Sequence, residues 1–126
     1  MERWPLLRTP TSAGAARAAA RSFLASCPGP VDEEAVLLVV TELVANAVQH
    51  GEEPIELRLD MTAGVVHVEV EDGGASRPIV VSPSALDASG RGLAIVAGLG
   101  RWGFTPVEQR GKRVWCDIGA SPSPRA

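Results

Sequence analysis

"TELVANAVQHG", residues 41–51, decides the fold of this chain. Glu42, Asn46 and His50 recur at every fourth position of a run dominated by Leu, Val and Ala. Four residues turn a helix by about 400°, so an acid, an amide and an imidazole fall on one slowly drifting stripe of an apolar rod. Just upstream, Asp32 suits an N-cap, Glu33 and Glu34 suit the first turn, and Gly51 serves as a stop. The spacing therefore predicts a helix through "VDEEAVLLVVTELVANAVQHG". The plain reading of its stripe is a solvated Glu42, a locally bonded Asn46, and His50 favoured by the negative helix end. Against it, Val39, Val40, Leu43, Val44, Ala47 and Val48 leave little surface that is not apolar. A stripe facing a cleft would instead let Glu42 accept a proton and Asn46 offer its amide oxygen to a hard cation such as Mg²⁺.

Working outward, "TPTSAGAARAAARSFLAS" predicts an earlier helix with Ala15, Ala19, Phe23 and Leu24 on one face, broken by "CPGP". "PIELRLDMT" and "GVVHVEVED" alternate apolar and polar residues and are joined by "TAG", which predicts a hairpin. "GGASRPIVVSPSALDASGRG" reads as a long functional loop, "GLAIVAGLG" as a short helix, and "RWGFTPVEQ" as a strand entering a turn. "KRVWCDIG" predicts a last strand, and Trp102 and Trp115 are expected in the core. A short first strand is expected within "RWPLLR", and the tail "ASPSPRA", residues 120–126, is expected to be disordered. Helices grouped beside antiparallel strands imply an α+β two-layer sandwich: a mixed, mostly antiparallel sheet with about three helices on one face, forming one domain over residues 1–119.

With 126 residues, 45% of them hydrophobic, the chain suits one core and leaves no room for a second catalytic domain. A net charge of -3 argues against direct nucleic-acid binding. Cys27 and Cys116 have neither metal-like spacing nor the numbers for a disulfide framework. No apolar run reaches the roughly 18 residues of a membrane span and the start shows no signal-peptide pattern, so a cytoplasmic protein without membrane contact is expected.

Two further stretches can carry chemistry. In "VEVEDGGAS" a strand runs into Asp72, Gly73 and Gly74; this is a plain turn, or a carboxylate placed to accept from an exocyclic amine while glycine admits a flat base. In "SGRGLAIV", Gly90 and Gly92 bracket a helix start; this is a linker, or a phosphate site of bare N–H groups.

Taken in order, Glu42-x-x-x-Asn46, Asp72-x-Gly74 and Gly90-x-Gly92-Leu93 resemble the ATP-binding superfamily of gyrase, the heat-shock chaperone ATPases, histidine kinases and mismatch-repair ATPases. The wording "TELVANAVQHG" and "GRGLAIVAGLGRWG" is most similar to the anti-sigma-factor serine kinases of bacterial partner switching. That resemblance implies a histidine-kinase-like ATP-binding fold with ATP and Mg²⁺ as cofactors. It implies Glu42 as general base toward a serine hydroxyl, and Asn46 as the Mg²⁺ ligand. Asp72 would read the adenine amine, Gly74 would make room for the base, and Gly90, Arg91, Gly92 and Leu93 would wrap the phosphates. His50 closes the family's helix motif, as a ligand contact or a structural residue. Lys112 reaches a phosphate or is a solvated strand-edge lysine. The family's second adenine-side glycine is here Ser76.

The implied activity is phosphorylation of a serine on an anti-anti-sigma partner, alternating with capture of a sigma factor, in a protein that can form a homodimer. A non-catalytic nucleotide-binding, or nucleotide-free, regulatory module is the alternative. A histidine-kinase ATP domain detached from its phosphoacceptor helix is disfavoured, because no dimerisation segment precedes it. The glycines give a direct test: Gly92→Val should abolish nucleotide binding in a calorimetric titration, because a β-branched side chain would stand where phosphate needs bare N–H groups. Unchanged affinity in a natively folded variant would reduce Gly90 and Gly92 to a linker.

Overall fold

The computed structural model describes residues 1–74, 100–107 and 111–119. In chain order these form β1 (Glu2–Leu6), α1 (Ser12–Ala25), α2 (Glu33–His50), β2 (Ile55–Thr62), β3 (Val65–Asp72), β4 (Arg101–Pro106) and β5 (Lys112–Ile118). The strands make one sheet in the order β1-β2-β3-β5-β4, antiparallel at every pairing. The two helices lie on one face, α1 against β1 and β2, and α2 against β3 and β5. The expected third helix, the long loop and the disordered tail lie outside the described residues.

Alternation in the strands fixes which face is buried. Ile55, Leu57 and Leu59 of β2, Val66, Val68 and Val70 of β3, and Val114, Cys116 and Ile118 of β5 all point under the helices. Onto them α2 lays Val36, Val40, Leu43 and Ala47, each at most 2% exposed. Burying a Val or Leu side chain contributes about 1.5–3 kcal/mol, so this layer dominates the stability of the fold. Helix α2 starts where the sequence places it, with the Asp32 carboxylate accepting from Ala35 N–H at 3.2 Å. Turn residues Ala63 and Gly64, at φ 52° and 81°, close the β2–β3 hairpin.

Two expectations about the core need correction. On α1 the buried face is Ser12, Ala16, Ala20, Phe23 and Leu24, whereas Ala15 is exposed and Ala19 half-buried. An alanine-rich stretch has no bulky side chain before Phe23 to mark the phase, so the face was displaced by one residue. Trp102 does pack against the core, but Trp115 stands on the opposite side of the sheet.

That outer side is a charged ladder. Arg58 bonds Glu56 at 2.6 Å, Glu69 at 2.9 Å and Glu71 at 2.8 Å, and Arg113 bonds Glu71 at 2.9 Å. His67 lies between two carboxylates, Nδ1 at 2.6 Å from Asp117 and Nε2 at 3.0 Å from Glu69, and stacks on Trp115 with centroids 6.0 Å apart. Trp115 in turn lies over Gly103, where an added Cβ would be 2.7 Å from the indole. The outermost strands each carry a proline, Pro5 in β1 and Pro106 in β4.

Partial burial pulls the His67 pKa down, but the hydrogen bonds that the ring donates to Glu69 and Asp117 and the negative charges of those carboxylates outweigh it and hold the imidazolium pKa above its ordinary value. A raised folded-state value stabilises the fold fully below the unfolded pKa of about 6.5, and that contribution is lost as pH rises through the folded value. The melting temperature of the wild type should therefore fall by about 1–4 °C more than that of His67→Gln between about pH 6 and pH 9. Parallel pH profiles for the two proteins would show that the carboxylates do not hold the proton.

Candidate functional site

The polar stripe of α2 runs along one border of its core-facing side. Glu42 is half-buried, Asn46 is 7% exposed, and His50 is exposed at the helix end. Each step of four residues turns the stripe about 40° further toward the core side, which accounts for Asn46 being deeper than Glu42. His50 would be deeper still, but the helix has already run past the layer that would cover it. Helix α1 takes the other flank, where Arg17 Nη1 donates to Thr41 Oγ1 at 3.2 Å. The stripe thus lies on the side of α2 that faces the β5–β4 end of the sheet, where α2 packs against β5 and neither described helix packs against β4.

Neither Glu42 nor Asn46 bonds any described side chain. For Glu42 this is ordinary, since part of its surface can meet water. Asn46 is the more buried of the two, yet no side-chain nitrogen or oxygen among the described residues is both sealed from solvent and without a hydrogen-bond partner, so its amide still meets open space. A local bond of the kind a purely structural asparagine would make is not present among the described residues. An oxygen acceptor held in place and short of a partner is chemically suited to a hard cation or to a water that carries one. The described residues contain no cluster of three or more His, Cys, Asp or Glu able to hold a metal by themselves.

Asp72 ends β3 and is 2% exposed. The strand continues the phase of Val66, Val68 and Val70, which turns the carboxylate to the helix side. Its Oδ1 accepts from Gly74 N–H at 2.7 Å and from Lys112 Nζ at 3.2 Å, while Oδ2 lies 3.1 Å from the same ammonium. Lys112, directly opposite on β5, is 3% exposed. This corrects the reading of that lysine as a solvated strand-edge residue: it is buried, and the register pairs it with Asp72. Removing one partner of such a buried pair strands the other charge, typically at a cost of about 3–5 kcal/mol.

Glycines press in on the pair. Gly51 caps α2 through its N–H to Ala47 C=O at 2.8 Å, in extended conformation at φ -98°. It is therefore not required by a left-handed backbone; a Cβ there would sit 2.5 Å from the Asp72 Cγ. Gly111 has φ +110°, and a Cβ on it would lie 2.5 Å from the Asp72 carbonyl oxygen. The Asp72-Gly73 step is not a two-residue hairpin turn: Gly73 N–H donates to Glu52 C=O at 2.7 Å, tying the strand end to the segment after α2. A cavity of about 330 Å³ opens there between Glu52, Glu53, Pro54, Glu71, Asp72 and Gly73. A larger hollow of about 610 Å³ lies at the end of α2, bounded by Arg8, His50, Gly51, Glu52 and Glu53. It brings His50 beside an arginine whose Nε already bonds Val48 C=O at 3.0 Å.

Glu42 and Asn46 are thus gathered on one helix border, and Gly51, Asp72, Gly74 and Lys112 at one end of the sheet. Ser76, Gly90, Arg91, Gly92 and Leu93 lie outside the described residues. The close approach of Gly51 and Gly111 to Asp72 was not read from the sequence, although Gly51 was expected as the stop of α2 and a glycine immediately before a strand was a visible signal. Cys116 is set aside as a nucleophile. Burial, with help from Asp117, pushes its pKa up to about 12, so it stays a thiol at neutral pH.

Comparison with known proteins supports the same architecture. The histidine kinase domain of the blue-light-activated kinase of Erythrobacter litoralis EL346 is similar at 22% identity and TM-score 0.54, over 87% of this chain and 60% of that one. The histidine kinase AdeS of Acinetobacter baumannii is similar at 15% identity and TM-score 0.54, over 97% of this chain and 69% of that one. The histidine kinase domain of the E. coli osmosensor EnvZ is similar at 17% identity and TM-score 0.50, over 100% of this chain and 92% of that one. At these identities the likeness is one of fold, and the chain spans about 60% of the first of these proteins. No curated protein matched by sequence. No helix among the described residues is long and apolar enough to cross a membrane. Matched to the family over residues 6–102, most of its length, the chain belongs to the histidine kinase-like ATPase domains.

Proposed function

We propose that this domain is an ATP- and Mg²⁺-dependent protein serine kinase that also acts as an anti-sigma factor in partner switching. An ATPase domain implies ATP as its ligand. The observation that carries the reading is Asn46, a buried amide without a described partner, one helical turn from a half-buried carboxylate, Glu42. Phosphoryl transfer asks chiefly for positioning and charge neutralisation, and this pair fits both needs. Glu42 takes the proton of the partner's serine hydroxyl as its oxygen bonds to the γ-phosphorus and the bond to the β,γ-bridging oxygen breaks, releasing ADP. Asn46 would hold Mg²⁺, whose chemistry is to offset phosphate charge. Asp72 accepts from the adenine amine, with Gly74 leaving space beside it. Gly90, Arg91, Gly92 and Leu93 are assigned to the phosphates by the resemblance alone.

A partner-regulating module without catalysis is the second reading, and Ser76, standing where the family's second adenine-side glycine is expected, favours it. The partner is, on either reading, an anti-anti-sigma protein or a sigma factor, held by a cytoplasmic domain that can pair with itself.

Both readings are separated by following labelled γ-phosphate into a candidate anti-anti-sigma protein, beside nucleotide titrations. Glu42→Gln should keep ATP affinity within a few fold and slow transfer by roughly 10² to 10⁴. Asp72→Asn should weaken ATP by about 1–3 kcal/mol, with a smaller effect on nucleotides lacking the amine. Full transfer by Glu42→Gln would remove Glu42 from the chemistry. ATP binding by the wild type without transfer to any host partner would leave a nucleotide-dependent clamp.

A further inference from the structure

We infer that the Asp72–Lys112 pair, and not Asp72 alone, reads the base, with the Lys112 ammonium donating to the ring nitrogen beside the amine. The inference rests on the nucleotide reading proposed above and assigns Lys112 as a specificity-determining residue.

The assignment follows from counting hydrogen-bonding capacity. A carboxylate offers about four lone-pair sites and an ammonium three N–H donors. Asp72 Oδ1 is used twice, by Gly74 N–H at 2.7 Å and by Lys112 Nζ at 3.2 Å. Oδ2 has Lys112 Nζ at 3.1 Å and no other described partner, which leaves it one acceptor site. Even if Lys112 spends one N–H on each oxygen, a third remains without a described partner on a residue only 3% exposed. A buried charged donor short of an acceptor is a standing cost, relieved by any ligand that supplies one. The pair therefore presents an acceptor and a donor side by side at the end of the sheet.

A heterocycle with an exocyclic amine next to an unprotonated ring nitrogen presents the complementary pattern. Adenine is such a ring, its N6–H₂ donating and its N1 accepting. A bare carboxylate would recognise the amine only. The lysine adds a demand on the ring atom next to it, which a base-blind structural ion pair would not make. The close approach of Gly51 and the bond from Gly74 keep Asp72 from rotating away from its lysine, so the pattern is fixed before the ligand arrives. Phosphate is a poorer candidate for the third N–H, because the Lys112 charge is already compensated by Asp72.

The experiment compares ATP with 1-deaza-ATP, in which N1 is replaced by C–H, by calorimetric titration of the full chain and of Lys112→Met. The wild type should bind 1-deaza-ATP roughly 10- to 100-fold more weakly than ATP. Lys112→Met, if circular dichroism shows a native fold, should bind the two within about twofold of each other. Equal affinities in the wild type overturn the inference and leave ATP binding untouched, and that comparison does not depend on the variant folding. A folded Lys112→Met that still discriminates against 1-deaza-ATP also overturns it. No binding of ATP by the wild type removes the nucleotide reading, and this inference with it.

Discussion

The buried ion pair between Asp72 and Lys112 is the constraint on which the candidate site depends. Two opposite charges can remain under a hydrophobic layer only if each satisfies the other, and here the β3–β5 register sets them directly across from one another. Everything nearby is shaped to allow that. Gly51 lets the end of α2 come down onto the carboxylate, Gly74 turns its N–H back to it, and Gly111 lets β5 begin in a left-handed backbone against the Asp72 carbonyl. A side chain larger than hydrogen at Gly51 or Gly111 would push against the pair itself. The helix that carries Glu42 and Asn46 is thus anchored to the strand end that carries Asp72, and the two halves of the site hold a defined relation.

Much of this was legible in the residues. The period-four run from Glu42 to His50, the cap at Asp32 and the alternation of β2 and β3 each rest on local rules that packing did not override. Even β1, signalled by only a few residues at "RWPLLR", forms at the sheet edge. What misled was position without context. Ala15 and Ala16 are indistinguishable by hydrophobicity, so only the docking of α1 chooses between them. Trp115 is large and apolar, yet its parity on β5 is that of Arg113 and Asp117, and parity decides the face.

Lys112 carries the most instructive error. It shares its phase with Val114 and Cys116, as Asp72 shares its phase with Val68 and Val70, so alternation alone placed both charges on the core side. A lone charge in a buried phase is improbable, but two opposite ones on neighbouring strands explain each other. The pairing of β3 with β5, which joins strands far apart in sequence, was not available from local pattern, and without it the lysine had no visible partner.

The prolines of the outermost strands bear on how copies of this chain could meet. An edge strand normally offers an unbroken row of N–H and C=O groups to any strand that comes alongside, including one from an identical molecule. Proline has no N–H to give; Pro5 breaks that row inside the five-residue β1, and Pro106 closes it at the last residue of β4. Continuing the sheet from one molecule into the next would leave a gap in the ladder at either end. Self-association of this domain is thereby steered away from strand addition and toward contacts between side chains, where the charged outer face would have to find its complement.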